Sequence, residues 1–516
     1  MNGSPNRDTE VLIAGAGPTG LVLALWLTRM GVRVRIVDKT SEPGTTSRAL
    51  AVQARTLELY NQMGLADAVV ERGRKVVAAN LWVAGEKAAY LFFGEMGAGI
   101  SPFSYALVFP QDEHERLLID RLSELGVPVE RQTELLGFED AAGGVLARLK
   151  RADGAEETCA AAYIAGCDGA HSVVREVLQI GFPGGTYAHL FYVADVEASG
   201  ATMNGELHVA LDRADFLAVF PLRGEGRARL VGTLREQTEH QHENLSWNDV
   251  SKRVIEWIRI DVERVNWFST YRVHHRVADH FRKGRAFLLG DAAHIHSPVG
   301  GQGMNTGIGD AVNLAWKLAA VLRGRADAPL LDSYEPERIA FARRLVGTTD
   351  RGFTGVTSSG AIARLIRLHI VPLVLPFFLK FTAVRRLMFR TVSQTAVNYR
   401  GSSLSEGRAG TVHGGDRLPW VKTDAKGVTN DNFVPLTSLA WQVHVYGDAA
   451  PEMRAVCDAR KLPLHIFSWR PEMHRAGLPR NAAYLIRPDG YVALADPEGS
   501  PTAIASYLDA RKLTPC

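Results

Sequence analysis

A chain of 516 residues is too long for one ordinary core, so two or three domains are expected. Hydrophobic residues make up 46% and charged residues 22%, the proportions of a globular protein rather than a disordered one. With 59 Lys and Arg against 56 Asp and Glu, the net charge is only +3, which leaves no electrostatic footprint for nucleic acid.

The opening decapeptide, MNGSPNRDTE, is polar and lacks the basic region and apolar run of a signal peptide. Glu10 to Ala14 predicts a short strand, GAGPTG (15–20) a tight turn, residues 21–31 a helix stopped by Gly31, and Val32 to Val37 a second strand. Residues 105–125 predict a strand end followed by a helix with leucines at helical spacing. Residues 144–166 alternate as strands about an Ala152–Gly154 turn. Short aromatic and alternating runs over 180–275 predict a mainly antiparallel sheet. A buried strand then returns at Arg285–Gly290, and a long helix covers Asn305 to Arg323.

The pattern from about 345 onward is helical. Its uncharged run Ile370–Leu379, broken by Pro372 and Pro376, is too short to span a bilayer. It is expected to be buried or to face a dimer partner. Flanking Arg364, Arg367, Lys380, Arg385 and Arg386 leave an interfacial helix as the alternative. A Gly-, Ser- and Arg-rich stretch at 400–418 marks a boundary. Beyond it follow a strand (440–446), a helix (451–461), a strand (463–469), a hairpin about Pro488-Asp489-Gly490 and a last helix (503–512). Cys159, Cys167, Cys457 and Cys516 are dispersed without a CxxC, which argues against a disulfide framework or structural zinc and for a reducing cytoplasm.

Three motifs carry chemistry. Gly15, Gly17 and Gly20 fit the dinucleotide fingerprint: a sharp turn, close backbone approach to a pyrophosphate, and close packing of helix on strand. Asp38 ends the next strand eighteen residues after Gly20, where a carboxylate can accept from a ribose hydroxyl. Far downstream, GRAFLLGDAAHIHSPVGGQGMNTGIGDAVNLAWKL (284–318) sets Asp291 at the end of a buried strand. A Gly-rich loop and a helix N-terminus follow, which favour negative charge. The third, CDGAHSVVR (167–175), reads either as a cofactor motif or as a structural turn with a buried Asp168–Arg175 pair. His294/His296 and His274/His275 have no further ligands at metal spacing, so no metal is expected.

Spaced over residues 8–345, these motifs resemble those of the FAD-dependent aromatic-ring hydroxylases, single-component flavoprotein monooxygenases of the para-hydroxybenzoate hydroxylase fold. The resemblance implies an α/β protein with a Rossmann-like FAD-binding domain (1–75, 101–180 and 276–345) and an inserted, mainly antiparallel substrate domain (76–100 and 181–275). A helical region (346–400) and a C-terminal thioredoxin-like α/β domain (401–516) complete it. That tail, similar to the one in the phenol and polyketide hydroxylase branch, lacks CxxC, so Cys457 is expected to be structural.

By the same resemblance Asp291 binds the ribityl chain of FAD. Pro298 to Asn305 pass beside the isoalloxazine, with Gly303 and Met304 amides at its pyrimidine edge and Pro298 shaping the oxygen pocket. Asp168, Gly169, Ser172 and Arg175 match a motif shared between FAD and NAD(P)H, and Gln111 matches a position on the flavin side. Arg48 matches a basic position at the FAD loop, with a surface salt bridge as its alternative. The implied reaction is hydroxylation of a phenolic or polyketide-type ring by NAD(P)H and dioxygen through a flavin hydroperoxide. A flavin dehydrogenase, a Baeyer–Villiger oxygenase or a flavin-holding binding protein are the alternatives. NADPH is preferred over NADH because the planar fork of Arg175 suits a phosphate. No catalytic base is named. The expected partners are a small aromatic substrate and dioxygen, with no nucleic acid, no membrane and a possible homodimer.

Overall fold

The computed structural model describes residues 8–44, 49–212, 216–234, 245–296, 299–357, 370–423 and 430–515. The first sheet is built on Thr9–Ala14, which lies between Glu156–Gly166 and Val34–Asp38 and pairs in parallel with both. Val11, Leu12 and Ile13 are fully buried, as a parallel strand covered on both faces requires. Val129–Arg131 extends the sheet on one side and Ala286–Leu288 on the other, again in parallel, so segments far apart in sequence become neighbours.

The second sheet has eight strands and rests on two long antiparallel ones, Gly184–Ser199 and Asp261–Val277. Ala78–Val83 and Glu86–Phe92 join at its far edge. Its side chains alternate with period two. Tyr192, Val196, Leu217 and Leu230 pack with Val254 and Ile255 of the Arg253–Trp257 helix. Phe191, Val193, Ala218 and Val231 face the other way with Phe216, Phe220, Trp267 and Tyr271. A small three-stranded sheet, Ala51–Val52, Ala106–Val108 and Arg74–Val76, meets that second face: Val76 and Val108 share a cluster with Leu222 and Phe220.

The C-terminal sheet runs in the order Val412–His413, Glu406–Ala409, Val492–Asp496, Ala483–Ile486, Gln442–Tyr446, Leu464–Phe467. The last two strands are parallel, joined through the Met453–Ala459 helix. Ala483–Ile486 and Val492–Asp496 form the expected hairpin about Pro488–Gly490. The sheet docks on the Gly303–Leu322 helix through Trp316 against Trp441 and through buried charge. Arg487 grips Glu337 with both terminal nitrogens, at 2.8 and 3.0 Å, and Lys317 Nζ reaches Glu337 at 2.9 Å. A second buried fork joins Arg417 to Glu58, and Arg55 donates to the carbonyl of Asp489 at 2.7 Å.

Several boundaries move. The first helix starts at Pro18, since proline suits the first helical position, and the second strand runs to Asp38. The long helix starts at Gly303, which puts Gly303 and Met304 in its first turn, and the following one starts at Tyr334, inside the expected first domain. In the apolar stretch near 370–379 Leu379 is buried, whereas Phe377 and Phe378, in the Val371–Phe378 helix, are about half exposed, as is the nearby Phe381. Among the described residues no helix is long and apolar enough to cross a membrane.

Candidate functional site

Two helix N-termini and three loops converge at the carboxyl end of the parallel sheet. Gly15 sits at φ +102°, and a Cβ there would lie 2.2 Å from the Cys167 carbonyl oxygen. One on Gly20 would lie 2.0 Å from the Gly15 carbonyl oxygen. The close approach of backbone to backbone thus demands both glycines. A Cβ on Gly17 would meet open space, and the Pro18–Arg29 helix that Gly17 caps has no side-chain cap, so its first amides are available to an anion. Asp38 Oδ2 accepts the Ala16 amide at 2.7 Å, and its Oδ1 accepts the Thr40 amide and hydroxyl at 2.8 and 2.6 Å. This carboxylate therefore shapes the glycine turn as well as standing at its rim.

The CDG segment lies directly behind the turn. Asp168 Oδ2 accepts the Val174 amide at 3.2 Å, whereas the buried Oδ1 finds no hydrogen-bond partner. Burial raises the Asp168 carboxyl above its usual range. Arg175 is not its ion-pair partner, so the buried Asp–Arg pair of the alternative, structural-turn reading does not form. The Arg175 guanidinium donates to the carbonyls of Ala292 and Ala170, at 2.9 and 2.7 Å, and stacks on Phe182 at 4.0 Å. Each terminal nitrogen thus makes one bond to backbone. Arg175 thereby ties this segment to the turn carrying Asp291. Gly169 is in the left-handed region at φ +79°, and Ser172 caps the short Val173–Val177 helix.

Asp291 is exposed on the Gly290–Ala292 turn. Gly290, at φ +58°, and Gly307 both pack on Thr19: their Cβ atoms would stand 2.7 and 2.3 Å from its hydroxyl. That contact brings the two helix N-termini together. Asn305 is buried with four bonds: its Oδ1 accepts from the Gln53 amide and Thr56 hydroxyl, and its Nδ2 donates to the carbonyls of Ala51 and Gly301. Its side chain is a brace rather than an open contact. Met304 is half-buried and, like Gln302 before it, lies where the Gly303–Leu322 helix begins without a side-chain cap. Gln111 donates to Glu115 at 2.8 Å, beside the Gly44 amide, which donates to the same carboxylate. Burial raises Glu115. Arg48 and Pro298 lie outside the described residues.

His294 is spoken for: its Nε2 meets Asp310 Oδ2 at 2.7 Å, Arg338 donates to Oδ1 at 2.6 Å, and the Gly290 amide donates to Oδ2 at 3.0 Å. Burial works against the Asp310 charge, but Arg338 and His294 outweigh it and hold the carboxyl below its usual range. Among the described residues no three His, Cys, Asp or Glu gather as a metal site.

A glycine-lined gap at one uncapped helix, a second uncapped helix beside it and an orphaned buried carboxylate oxygen fit a dinucleotide bearing both phosphate and hydroxyl groups. Residues 8–349 match the family described as FAD binding domain. The chain belongs to the FAD-dependent aromatic hydroxylases. Over 99% of its length this flavoprotein is 34% identical to 95% of the 6-methylpretetramide 4-monooxygenase of Streptomyces rimosus. It is 32% identical to the rifampicin monooxygenase of Rhodococcus hoagii over 76% of this chain and 79% of that one. Among solved structures, the anhydrotetracycline hydroxylase of Streptomyces rimosus superposes with a TM-score of 0.78. The two are 28% identical, and the match covers 98% of this chain and 100% of the other. The flavoprotein is thus a monooxygenase whose cofactor is FAD and whose reductant is NAD(P)H.

Sequence reasoning left Phe216 and Phe220 undecided between substrate contact and core packing, and missed Trp267 and Tyr271 beside them on the second face of the large sheet. Phe216, Phe220, Tyr271 and Trp267 are each only half-buried there, and Arg229 forks onto Asp195 at 2.6 and 2.7 Å beside Trp267. The signal was present in the alternation of 191–195 and 216–220, but nothing local told which face would be covered by a helix.

Proposed function

We propose that the chain hydroxylates a phenolic ring within a fused, polyketide-type aromatic molecule. The observation that carries this reading is the continuity of the aromatic sheet face with the flavin segment. His294–Ile295 pairs with the end of the Asp261–Val277 strand as the last strand of the sheet, and Gly300–Gln302 follow it closely in the sequence. Phe216, Phe220, Trp267 and Tyr271, backed by the buried Phe191, give an apolar aromatic face, and Arg229–Asp195 supplies a polar group beside it at which such a molecule can be oriented. The full-length relative named for a pretetramide, and the hydroxylase named for anhydrotetracycline, support a fused-ring substrate.

In this reading Gly15, Gly17 and Gly20 seat the pyrophosphate, Asp38 the adenosine ribose and Asp291 the ribityl chain. Gln111 lies on the flavin side, and the Gly303–Asn305 turn directs amides toward the flavin's pyrimidine edge. Pro298 borders the oxygen pocket. Asp168 offers its free oxygen to the cofactor, while Arg175 positions the Asp291 turn. Arg48 contributes a positive charge at the cofactor loop. Bound FAD, once reduced by NAD(P)H, supplies the activation of dioxygen. The protein holds the ring against the sheet, excludes water and presents dipoles to negative charge at the flavin. The chain divides as an FAD-binding domain with the large sheet inserted. Its C-terminal unit is thioredoxin-like, a reading supported by its strand order and helix placement. Cys457, fully buried and with its thiol pushed up to about 11 by burial, suits a structural role there. Dispersed free cysteines fit a cytoplasmic setting.

The test is cofactor consumption against a panel of single-ring phenols, naphthols and tetracyclic phenols under labelled dioxygen. A tetracyclic phenol is expected to raise NAD(P)H oxidation at least about tenfold, with one labelled oxygen in the product. Stimulation by ketones alone, or by no aromatic compound, would end the reading.

A further inference from the structure

The loop that leads into the Gly303–Leu322 helix is held by a residue far from it. Gly300 and Gly301 both adopt left-handed backbone, at φ +77° and +62°, so their peptide planes have several ways to lie. Each carbonyl is nevertheless fixed. The Gly300 carbonyl accepts from Gln53 Nε2 at 2.8 Å and from Gln302 Nε2 at 3.0 Å, and that of Gly301 accepts from Asn305 at 2.7 Å. The Gln302 side chain, only 5% exposed, is itself pinned at both ends. Its Nε2 also donates to the Val392 carbonyl at 2.8 Å, and its Oε1 accepts from Gln394 Nε2 at 2.7 Å. Gln394 reaches on to the Thr306 hydroxyl at 3.0 Å, in the first turn of the helix.

Gln394 is buried and sits at φ +60°, a conformation that strains a non-glycine residue. Glycine or asparagine would adopt it more readily. An observed backbone outlier of this kind points to work done by the side chain, and here that side chain bonds to the loop. The amides of the first helical turn that follows are left without side-chain caps.

We propose that Gln394 is a positioning residue for the flavin: through Gln302 it fixes the peptide planes of Gly300–Gln302, and so sets the reduction potential of the bound cofactor without touching it. The proposal rests on the reading that this loop borders the isoalloxazine. Oriented amides stabilise the extra negative charge of the reduced form, and a loop free to turn its peptides would do so less well.

The experiment uses Gln394→Gly and Gln394→Asn, which suit the backbone and remove the reach to Gln302, and Gln394→Met, which keeps the volume without the donor. In the FAD-free protein, amide hydrogen exchange over residues 299–306 is expected to quicken at least tenfold while the parallel sheet stays protected. In the FAD-bound protein the midpoint potential is expected to fall by about 30 mV, a tenfold loss for a two-electron couple. Unchanged exchange in all three variants overturns the clamp. Faster exchange with an unchanged potential also overturns the proposal, and places the fault in the assignment of this loop to the flavin.

Discussion

At the level of single residues, the site separates groups that brace from groups left open. Asn305, Arg175 and His294 looked like cofactor contacts or metal ligands in the sequence, yet each is bonded to backbone or to another side chain. Their partners include residues 252, 117 and 16 positions away, so only the residue types and their motif could be read in advance. Asp168 is the opposite case. An acceptor buried without a partner costs about 1–3 kcal/mol, and burial raises its carboxyl. Asp168→Asn is therefore expected to leave the FAD-free protein as stable as before, or more stable, while weakening FAD binding at least tenfold. Calorimetric unfolding of the apoprotein and a fluorescence titration with FAD measure the two effects. A variant that loses apoprotein stability and keeps its FAD affinity would show Asp168 to be a structural acid.

At the level of elements, the opening βαβ unit was legible because strand, glycine turn, helix and terminal acid all lie within thirty residues. The later strand and helix were legible because a buried run and a glycine-rich loop adjoin. The crossing of the two helices was not, since it depends on three small residues from separate segments. Thr19 fills the space that Gly290 and Gly307 leave. Gly307→Ala would place a methyl 2.3 Å from the Thr19 hydroxyl and 3.1 Å from the Gly290 backbone. Overpacking of this kind costs about 1–3 kcal/mol and would tilt the helix N-termini apart, so FAD retention should fall along with stability. Thr19→Ala introduced with Gly307→Ala should restore most of both, giving a positive coupling in a double-mutant cycle measured by urea unfolding. Simple additivity of the two substitutions would mean that the helices meet elsewhere.

At the level of the whole molecule, the C-terminal unit is joined to the rest by ions removed from water. The tail's strands and hairpin were readable from turn residues and alternation, but its docking was not, because Glu58, Glu337, Arg417 and Arg487 meet across 150 to 359 residues. Burial opposes the charge of Glu58 and Glu337, but Arg417 and Arg55 in one case, and Arg487 and Lys317 in the other, hold both carboxyls below their usual range. Each such group has a native pKa below its unfolded value, so its contribution is present above about pH 4.5 and is lost as the pH falls further. Asp310 adds a third below about 3.8.

His114, fully buried against Tyr60, is driven by burial down to about 3, so the unfolded chain takes its proton first from about pH 6.5 downward. Asp168 and Glu115, raised by burial, act with the opposite sign. His444, fully buried as well, is also lowered by burial, so stability should already decline between about pH 6.5 and 5. Below 4.5 it should fall steeply, the slope approaching about 4 kcal/mol per pH unit as three or more protons are taken up on unfolding. Glu337→Gln tests the assignment. At pH 7 it leaves Arg487 and Lys317 short of a buried counter-charge and should cost about 3–5 kcal/mol, yet its acid slope should be shallower by about 1.4 kcal/mol per pH unit. Urea midpoints measured from pH 7 to pH 3.5, followed by Trp fluorescence, give both quantities, since Trp316 and Trp441 lie at the docked face. A variant as stable as the parent at neutral pH, or one with the parent's acid slope, would mean that the C-terminal unit is held by its apolar contacts and not by this buried carboxylate.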